Sequence, residues 1–163
     1  MLYFQLRFNN YLEEMITWQC KHFSELTATE LYKILQIRNE VFVVEQNCAY
    51  QDCDEKDFDC YHVTGCNEGV VIAYSRILPP GLPYPDGASI GRVLTSPVAR
   101  KQGTGKQLIV YSLENLYRLF GNVKVIIGAQ LYLKRFYESF HFIQTGGIYL
   151  EDGIDHIPME KRN

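Results

Sequence analysis

The sequence has no apolar run that approaches the roughly 20 residues with which a helix spans a bilayer. It also lacks an excess of positive charge, because 16 Lys and Arg residues stand against 19 Asp and Glu residues, for a formal net charge of −3. A chain without a basic surface has little to hold a nucleic-acid backbone. Internal repeats and low-complexity segments are missing as well. These absences disfavour membrane proteins, nucleic-acid-binding proteins and repeat proteins.

The spacing of the five cysteines does not favour a structural metal site. Cys48 and Cys53 are separated by four residues, as zinc ligands can be, but Cys60 and Cys66 do not form a second close pair. An odd number of thiols is typical of a reduced, cytoplasmic protein. We therefore expect no metal and a cytoplasmic location.

The length of 163 residues suits one domain, and 47% apolar residues can fill its core. Residues 15–163 are predicted to form this domain. Residues 1–14 are interpreted as a leader of uncertain origin, because Leu2-Tyr3-Phe4-Gln5 matches the end of a common protease-tag site. The abundance of aromatic residues, 12 Tyr and 9 Phe, leaves room for a homodimer interface.

The order of the predicted elements indicates an α/β domain. Thr27 and Glu30 form a capping box that begins a helix running to about Val43. A long helix from Gly103 to Phe120 and a short one over residues 131–139 follow later in the chain. Runs of β-branched and aromatic residues predict strands at residues 17–21, 60–65, 70–78, 88–95 and 123–127, with further strands from residue 142 onward. This alternation is typical of a mixed sheet covered by helices.

A glycine loop between a strand and a helix is the strongest functional signal. The loop is Arg100-Lys101-Gln102-Gly103-Thr104-Gly105, and Lys106 adds charge after it. Glycines let several backbone N–H groups approach one anion, and the following helix adds the positive end of its dipole. The spacing fits neither GxGxxG nor a P-loop, so dinucleotides and nucleoside triphosphates are disfavoured. A tight turn that only caps the helix is the alternative.

Arg-x-x-Gly-x-Gly between a strand and a long helix resembles the acetyl-CoA signature of the GNAT N-acetyltransferase superfamily. Further segments resemble its ElaA-like branch and extend the resemblance over about residues 15–159. They are Leu31-Tyr32, Arg38, Val41–Gln46, Tyr50–Asp52, Ala73–Leu78, Ile90–Val93, Phe136–Phe140 and Glu151–Ile157. The resemblance implies a mixed, mostly antiparallel central sheet with a splayed strand and with helices on both faces.

The resemblance also implies acetyl-CoA as the cosubstrate. The backbone of the splayed strand, here Val93-Leu94-Thr95, would pair with the pantetheine arm. The segment from Arg100 to Lys106 would cradle the pyrophosphate. Gln130 stands where relatives often place an Asn that contacts the arm. An N–H group of the splayed strand would stabilise the oxyanion, and we assign this role to Leu94.

Direct transfer to an amine needs a general acid that protonates the departing thiolate. The resemblance implies Tyr137 for this role, and its hydroxyl is neutral at pH 7. Packing of a helix onto the sheet is the other interpretation of this tyrosine. His141 departs from the usual Gly-Phe ending, which changes the turn after the helix.

The general base is less well defined, because the strand from Ile90 to Thr95 contains no carboxylate. Glu45 is the first candidate, with an ion pair to Arg38 or Arg92 as the alternative. His62 is the second candidate, and an ordinary histidine of a strand is its alternative interpretation.

Two polar segments bear on the acceptor. The acidic segment 45–60 is interpreted mostly as a solvated connection, and an acidic rim that attracts a cationic amine is the alternative. Its acids are Asp52, Asp54, Glu55, Asp57 and Asp59. Near the C-terminus, Glu151, Asp152 and His156 form a polar segment that can shape an acceptor pocket.

The sequence therefore predicts an acetyl-CoA-dependent N-acetyltransferase that acts directly on a primary amine of a small molecule or peptide. A CoA-binding sensor or scaffold without catalysis is the alternative, since the strand carboxylate is missing. A third hypothesis rests on the Arg-x-x-x-Phe feature from Arg38 to Phe42, which the acyl-homoserine lactone synthases share. The glycine loop favours the acetyltransferases over it.

Overall fold

The computed structural model describes residues 16–162, so the predicted leader, residues 1–14, lies outside the described part. The α-helices are α1 (Ala28–Arg38), α2 (Thr104–Phe120) and α3 (Lys134–Glu138). The strands are β1 (Thr17–His22), β2 (Tyr61–Asn67), β3 (Val70–Leu78), β4 (Ser89–Thr95), β5 (Val125–Gln130), β6 (Ile143–Gln144), β7 (Tyr149–Glu151) and β8 (Ile154–Lys161). Within these residues, none of the helices has the length and apolar character that crossing a bilayer requires.

The strands form two antiparallel sheets that meet at one point. One sheet has the order β1-β2-β3-β4, the other has the order β5-β8-β6, and β7 also pairs with β8. A parallel bridge joins Ala88, just before β4, to Val125 of β5. Ala88 N–H donates to the Lys124 carbonyl at 3.0 Å, and Ile126 N–H donates to the Ala88 carbonyl at 2.9 Å. The predicted mixed, mostly antiparallel sheet with a splayed strand is confirmed.

Helix α1 begins at the predicted capping box. The Thr27 hydroxyl accepts a hydrogen bond from Glu30 N–H, and the Glu30 carboxylate accepts one from Thr27 N–H. This reciprocal bonding satisfies two donors at the helix start. The chain stays helical beyond α1, but residues Asn39–Glu45 wind as a wider π-helical segment.

Helices cover both faces of the first sheet. On one face α1 packs over a small cluster formed by Ile34, Ile37, Val41, Tyr74 and Leu94. On the other face α2 and the second sheet share a larger core, which includes Val63, Ala73, Ile77, Leu108, Leu116, Ile127, Ala129, Tyr137 and Ile157. Burial of each large apolar side chain stabilises the fold by about 1.5–3 kcal/mol, so these two clusters fix the position of β4 from both sides.

The acidic segment is not the solvated connection that we expected. Arg38, which is fully buried, binds Asp52 at 2.7 Å and Asp57 at 2.8 Å. Arg76 binds Asp54 at 2.6 Å and Asp57 at 2.8 Å. The segment therefore folds inward, because buried guanidinium groups need carboxylate partners.

Arg92 of β4 joins the same network. Its Nε donates to Asp52 at 2.7 Å, and its guanidinium lies 5.6 Å from the centre of the Tyr50 ring. The Tyr50 hydroxyl donates to Asp52 at 2.9 Å. The network thus links β4 to the loop that precedes β2, and it neutralises acids that we had considered as an acidic rim.

Candidate functional site

The separation of β4 from β5 opens a cleft. Beyond Ala88, the described residues of the two strands share no further hydrogen bond. Between Gly91 and Leu94, β4 carries two residues opposite the single Ser75 of β3, and the first of them, Arg92, has φ +51°. Such a bulge bends and twists a strand, and here it accompanies the divergence of β4 from β5.

The register of β4 decides which backbone groups face the cleft. Ser96 N–H donates to the Ile72 carbonyl of β3 at 2.8 Å. Because the backbone groups of successive residues point to opposite sides of a strand, Leu94 also faces β3. Thr95, and Val93 two residues before it, face the cleft instead. The N–H of Leu94, to which we assigned the oxyanion, is directed into the sheet.

The predicted phosphate loop connects β4 to α2. After a 3₁₀ turn at Pro97–Ala99, Lys101 and Gly103 adopt left-handed φ angles of +61° and +85°. These two residues reverse the chain so that α2 starts beside the open end of the cleft. A β-carbon is unfavourable in this conformation, which explains the glycine at position 103.

The start of α2 offers free N–H donors. Gly103 is the N-cap residue and provides no side-chain acceptor. Its carbonyl accepts from Lys106 N–H at 2.9 Å. The N–H groups of Thr104 and Gly105 precede the first intrahelical bond, so they remain available to an anion.

The second glycine of the loop is not required by the fold. A β-carbon placed on Gly105 would meet Phe136 Cζ at 3.8 Å and Thr95 Cγ2 at 3.9 Å, which are ordinary contact distances. Its backbone is helical, so alanine would be accepted locally. Packing therefore does not explain the glycine at position 105.

Arg100 connects the loop to the π-helical segment. Its guanidinium binds both carboxylate oxygens of Glu45, at 2.6 Å and 2.8 Å, and also donates to the Thr95 carbonyl. Arg100 holds the pKa of the Glu45 carboxyl below its ordinary value. The ion-pair partner of Glu45 is thus Arg100 rather than Arg38 or Arg92, and a carboxylate bound in this way is a weak proton acceptor.

Tyr137 of α3 lies in the larger core, which also contains residues of β4 and β5. Its side chain is 6% exposed, and its ring packs edge-on against Phe136 and Phe142. Phe136 is also the side chain nearest to Gly105, so α3 adjoins the start of α2. Burial raises the pKa of Tyr137 above its ordinary value of 10. The hydroxyl therefore keeps its proton at neutral pH and can donate it.

Gln130, the predicted contact to the arm, is the last residue of β5. Its strand forms the edge of the cleft that lies opposite β4.

His62 lies inside the first sheet and away from solvent. Its ring is 1% exposed, with Nδ1 at 2.8 Å from the Tyr74 hydroxyl and Nε2 at 3.1 Å from the Asp57 carbonyl. Burial lowers the pKa of His62, so the ring stays neutral. Both nitrogens are engaged, which favours the interpretation of His62 as a structural residue.

A second group of side chains lies over β5 on the side away from the core. Tyr149 Oη contacts the position that a β-carbon on Gly128 would take, and Glu151 Oε2 lies 4.0 Å from it. The Cys48 thiol donates to the Asp152 carbonyl at 3.3 Å. This hydrogen bond joins the turn between β7 and β8 to the loop that follows the π-helical segment. The sequence pointed to Glu151 but not to Tyr149. The isolated glycine in the β-branched strand β5 was the sign that another group approaches the backbone there.

A second concave region lies outside the cleft. A groove of about 280 Å³ runs between α1 and the β1–β3 strands, on the side of Lys21, Lys33 and Thr64, and it does not include the glycine loop. Among residues 16–162, no three His, Cys, Asp or Glu side chains lie close enough together to hold a metal ion.

Comparison with known proteins agrees with this geometry. Residues 40–163 match the model of the acetyltransferase (GNAT) domain. The chain is 43% identical to Protein ElaA of Escherichia coli K12 over 149 residues, which cover 90% of this chain and 97% of ElaA.

Solved structures show the same similarity. An acyl-CoA N-acyltransferase from Pseudomonas aeruginosa has a TM-score of 0.86 at 41% identity, covering 90% of this chain and 99% of that one. E. coli ElaA has a TM-score of 0.86 at 42% identity, covering 91% and 100%. A CoA-dependent acyl-homoserine lactone synthase, BjaI, shares the fold, with a TM-score of 0.73 at 16% identity over 90% of this chain and 82% of that one. Together with the splayed cleft and the glycine loop, these similarities show that the chain belongs to the GNAT acetyltransferase family, in its ElaA-like branch.

Proposed function

We propose that the protein transfers an acetyl group from acetyl-CoA directly to a primary amine of a small molecule or peptide. The cleft between β4 and β5, with the uncapped start of α2 at its open end, carries this proposal. An extended arm can add to the free edge of β4 as a further strand. A pyrophosphate at the mouth would reach the N–H donors of Thr104 and Gly105.

The cleft-facing backbone of Val93 and Thr95 is the proposed partner of the pantetheine arm. Arg100 donates to the Thr95 carbonyl, whose second lone pair would accept a hydrogen bond from the arm. Lys101 and Lys106 would add charge around the pyrophosphate, and Gln130 would contact the arm from the opposite edge.

The proposed chemistry needs no covalent intermediate with the protein. The amine nitrogen attacks the thioester carbon, the C–N bond forms and the C–S bond breaks. A cleft-facing N–H of Val93 or Thr95 would stabilise the oxyanion. Tyr137 donates its proton to the CoA thiolate and recovers one from the protons that the amine releases.

The cysteines support direct transfer and a cytoplasmic location. All five are free thiols, as a reducing compartment keeps them. Burial raises the pKa of Cys20 to about 11 and that of Cys60 to about 12. These thiols stay protonated at neutral pH and are weak nucleophiles.

Release of free thiol from acetyl-CoA, followed across a panel of primary amines, peptides and polyamines, tests the proposal. We expect turnover with at least one cationic amine. Protection against thermal unfolding by CoA with no turnover across the panel would contradict catalysis and favour the sensor or scaffold. No protection by CoA would contradict both functions.

A further inference from the structure

The two faces of β5 have different surroundings. Val125, Ile127 and Ala129 are buried in the core that also contains Tyr137. Gly128 alternates with them and therefore faces the other side of the sheet, where it is exposed. The proposed acid and the outer surface of Gly128 thus lie on opposite faces of β5.

A carboxylate lies over this outer surface. Glu151 Oε2 is 4.0 Å from the position of a β-carbon on Gly128, and Tyr149 Oη contacts the same position. Glu151 and Tyr149 are two residues apart on β7, so both side chains project from one face. Any side chain larger than that of glycine at position 128 would displace the Tyr149 hydroxyl.

Aromatic side chains lie near the exposed Glu151 carboxylate. The Tyr149 ring stacks on His156 at 5.7 Å, which fixes its orientation. Burial first, and then the neighbouring Glu151 carboxylate, raise the pKa of Tyr149 to about 12, and the same two causes raise the pKa of Tyr84. Both hydroxyls therefore remain donors near the carboxylate. A carboxylate beside aromatic rings suits an ammonium group.

Counting along β4 and β5 from their bridge relates this corner to the cleft. Three residues beyond the bridge between Ala88 and Val125, the parallel strands reach Gly91 and Gly128. An arm that pairs with Thr95 and then with Val93 would carry its thioester toward this level.

We propose that Glu151 binds the ammonium group of the acceptor and takes its proton, with Tyr149 as a positioning residue. This inference rests on the proposed function and narrows the acceptor to cationic primary amines. The ammonium gives one proton to Glu151, and the neutral amine attacks the thioester. As the C–N bond forms and the C–S bond breaks, the thiolate takes the proton of Tyr137. The second amine proton returns to Tyr137, and Glu151 releases its own proton to solvent.

Calorimetric titration of the protein–CoA complex tests the ammonium site without turnover. The probes are 2-phenylethylamine and its uncharged analogue 2-phenylethanol. We expect Glu151→Gln to weaken amine binding by about tenfold or more and to leave alcohol binding unchanged. Glu114→Gln, which removes an exposed carboxylate of α2, should change neither affinity. Equal amine affinity in the wild type and in Glu151→Gln would overturn the proposal.

Turnover of 2-phenylethylamine tests the proton transfer. Glu151→Gln should lower kcat on the order of 10²-fold with an unchanged KM for acetyl-CoA, and Glu151→Asp should restore part of the rate. Tyr149→Phe should lower kcat/KM for the amine and leave the KM for acetyl-CoA unchanged. If the wild type turns over the amine and Glu151→Gln has the same kcat, this inference is wrong and the proposed function is still supported. If the amine binds through Glu151 but no thiol is released, the proposed function is contradicted and the ammonium-binding site is still supported.

Discussion

At the scale of single residues, the two glycines of the loop have different backbone conformations and different surroundings. Gly103 has φ +85°, which the chain reversal before α2 requires. Gly105 is helical and has room for a β-carbon beside Phe136. Only the first is favoured by the backbone conformation, so the pair should separate stability from the proposed cofactor binding.

We therefore predict opposite results for two alanine variants. Gly105→Ala should keep or slightly raise the melting temperature and should weaken CoA binding by about tenfold or more, because its β-carbon obstructs the phosphate approach. Gly103→Ala should lower the free energy of unfolding by about 1 kcal/mol through left-handed strain. Thermal unfolding with a CoA titration measures both effects. Wild-type CoA affinity in Gly105→Ala would exclude this loop as the phosphate site.

Tyr137→Phe gives a second prediction at this scale. The variant should lower kcat on the order of 10²-fold and leave the KM for acetyl-CoA unchanged, because the proposed role of the hydroxyl is to protonate the leaving thiolate. Since burial raises the pKa of Tyr137 above 10, ionisation of this group should not reduce kcat at or below pH 10. Steady-state kinetics check both points, with Tyr111→Phe as the control. A Tyr137→Phe variant as fast as wild type would leave Tyr137 only a packing role.

At the scale of elements, short-range patterns predicted most of the fold. The capping box at Thr27 and Glu30 and the glycine loop each depend on residues a few positions apart, and both were visible in the sequence. Arg38 and Asp57, 19 residues apart, pair only after α1 and the loop have packed together. The partner of Glu45 lies 55 residues away. Such pairs depend on the tertiary fold, which local spacing does not encode.

The end of α3 provides a prediction about turn chemistry. His141 adopts φ +68°, and the turn it makes lets Phe142 N–H donate to the Tyr137 carbonyl at 3.3 Å. Histidine thus takes the left-handed conformation that glycine usually supplies. His141→Gly should raise the free energy of unfolding by up to about 1 kcal/mol, as urea titration would show. A destabilised variant would mean that the imidazole makes a contact that outweighs the strain.

At the scale of the whole molecule, the buried ion pairs tie separate elements into one unit. Arg38 comes from α1, Arg76 from β3 and Arg92 from β4, and all three bind acids of one loop. Removal of one partner would leave an uncompensated buried charge, which typically costs about 3–5 kcal/mol. The loop that borders the cleft is thereby fixed to the first sheet.

Acid should release this network before it affects the apolar core. Although burial opposes it, the ion pair with Arg76 lowers the pKa of Asp54 to about 2, and ion pairs with Arg38 and Arg76 lower that of Asp57. A carboxyl with a lowered pKa stabilises the folded state fully above its unfolded value near 3.8, and this stabilisation is lost as the pH falls toward 2. Urea unfolding between pH 2 and 7 should show a smaller pH dependence for Asp54→Asn than for wild type. Identical pH dependence would place the acid sensitivity elsewhere.

Among residues 16–162 one bridge joins the two sheets, and this bears on how the protein is degraded in the cell. Every strand of the first sheet precedes residue 96, and every described strand of the second follows residue 124. The cleft therefore separates two successive halves of the chain, and a coenzyme seated in it would touch both. A ligand that binds only the assembled halves lowers the population of partly opened chains, which are the forms that proteases cut. If the cleft binds CoA as proposed, the lifetime of each copy would follow the supply of that coenzyme.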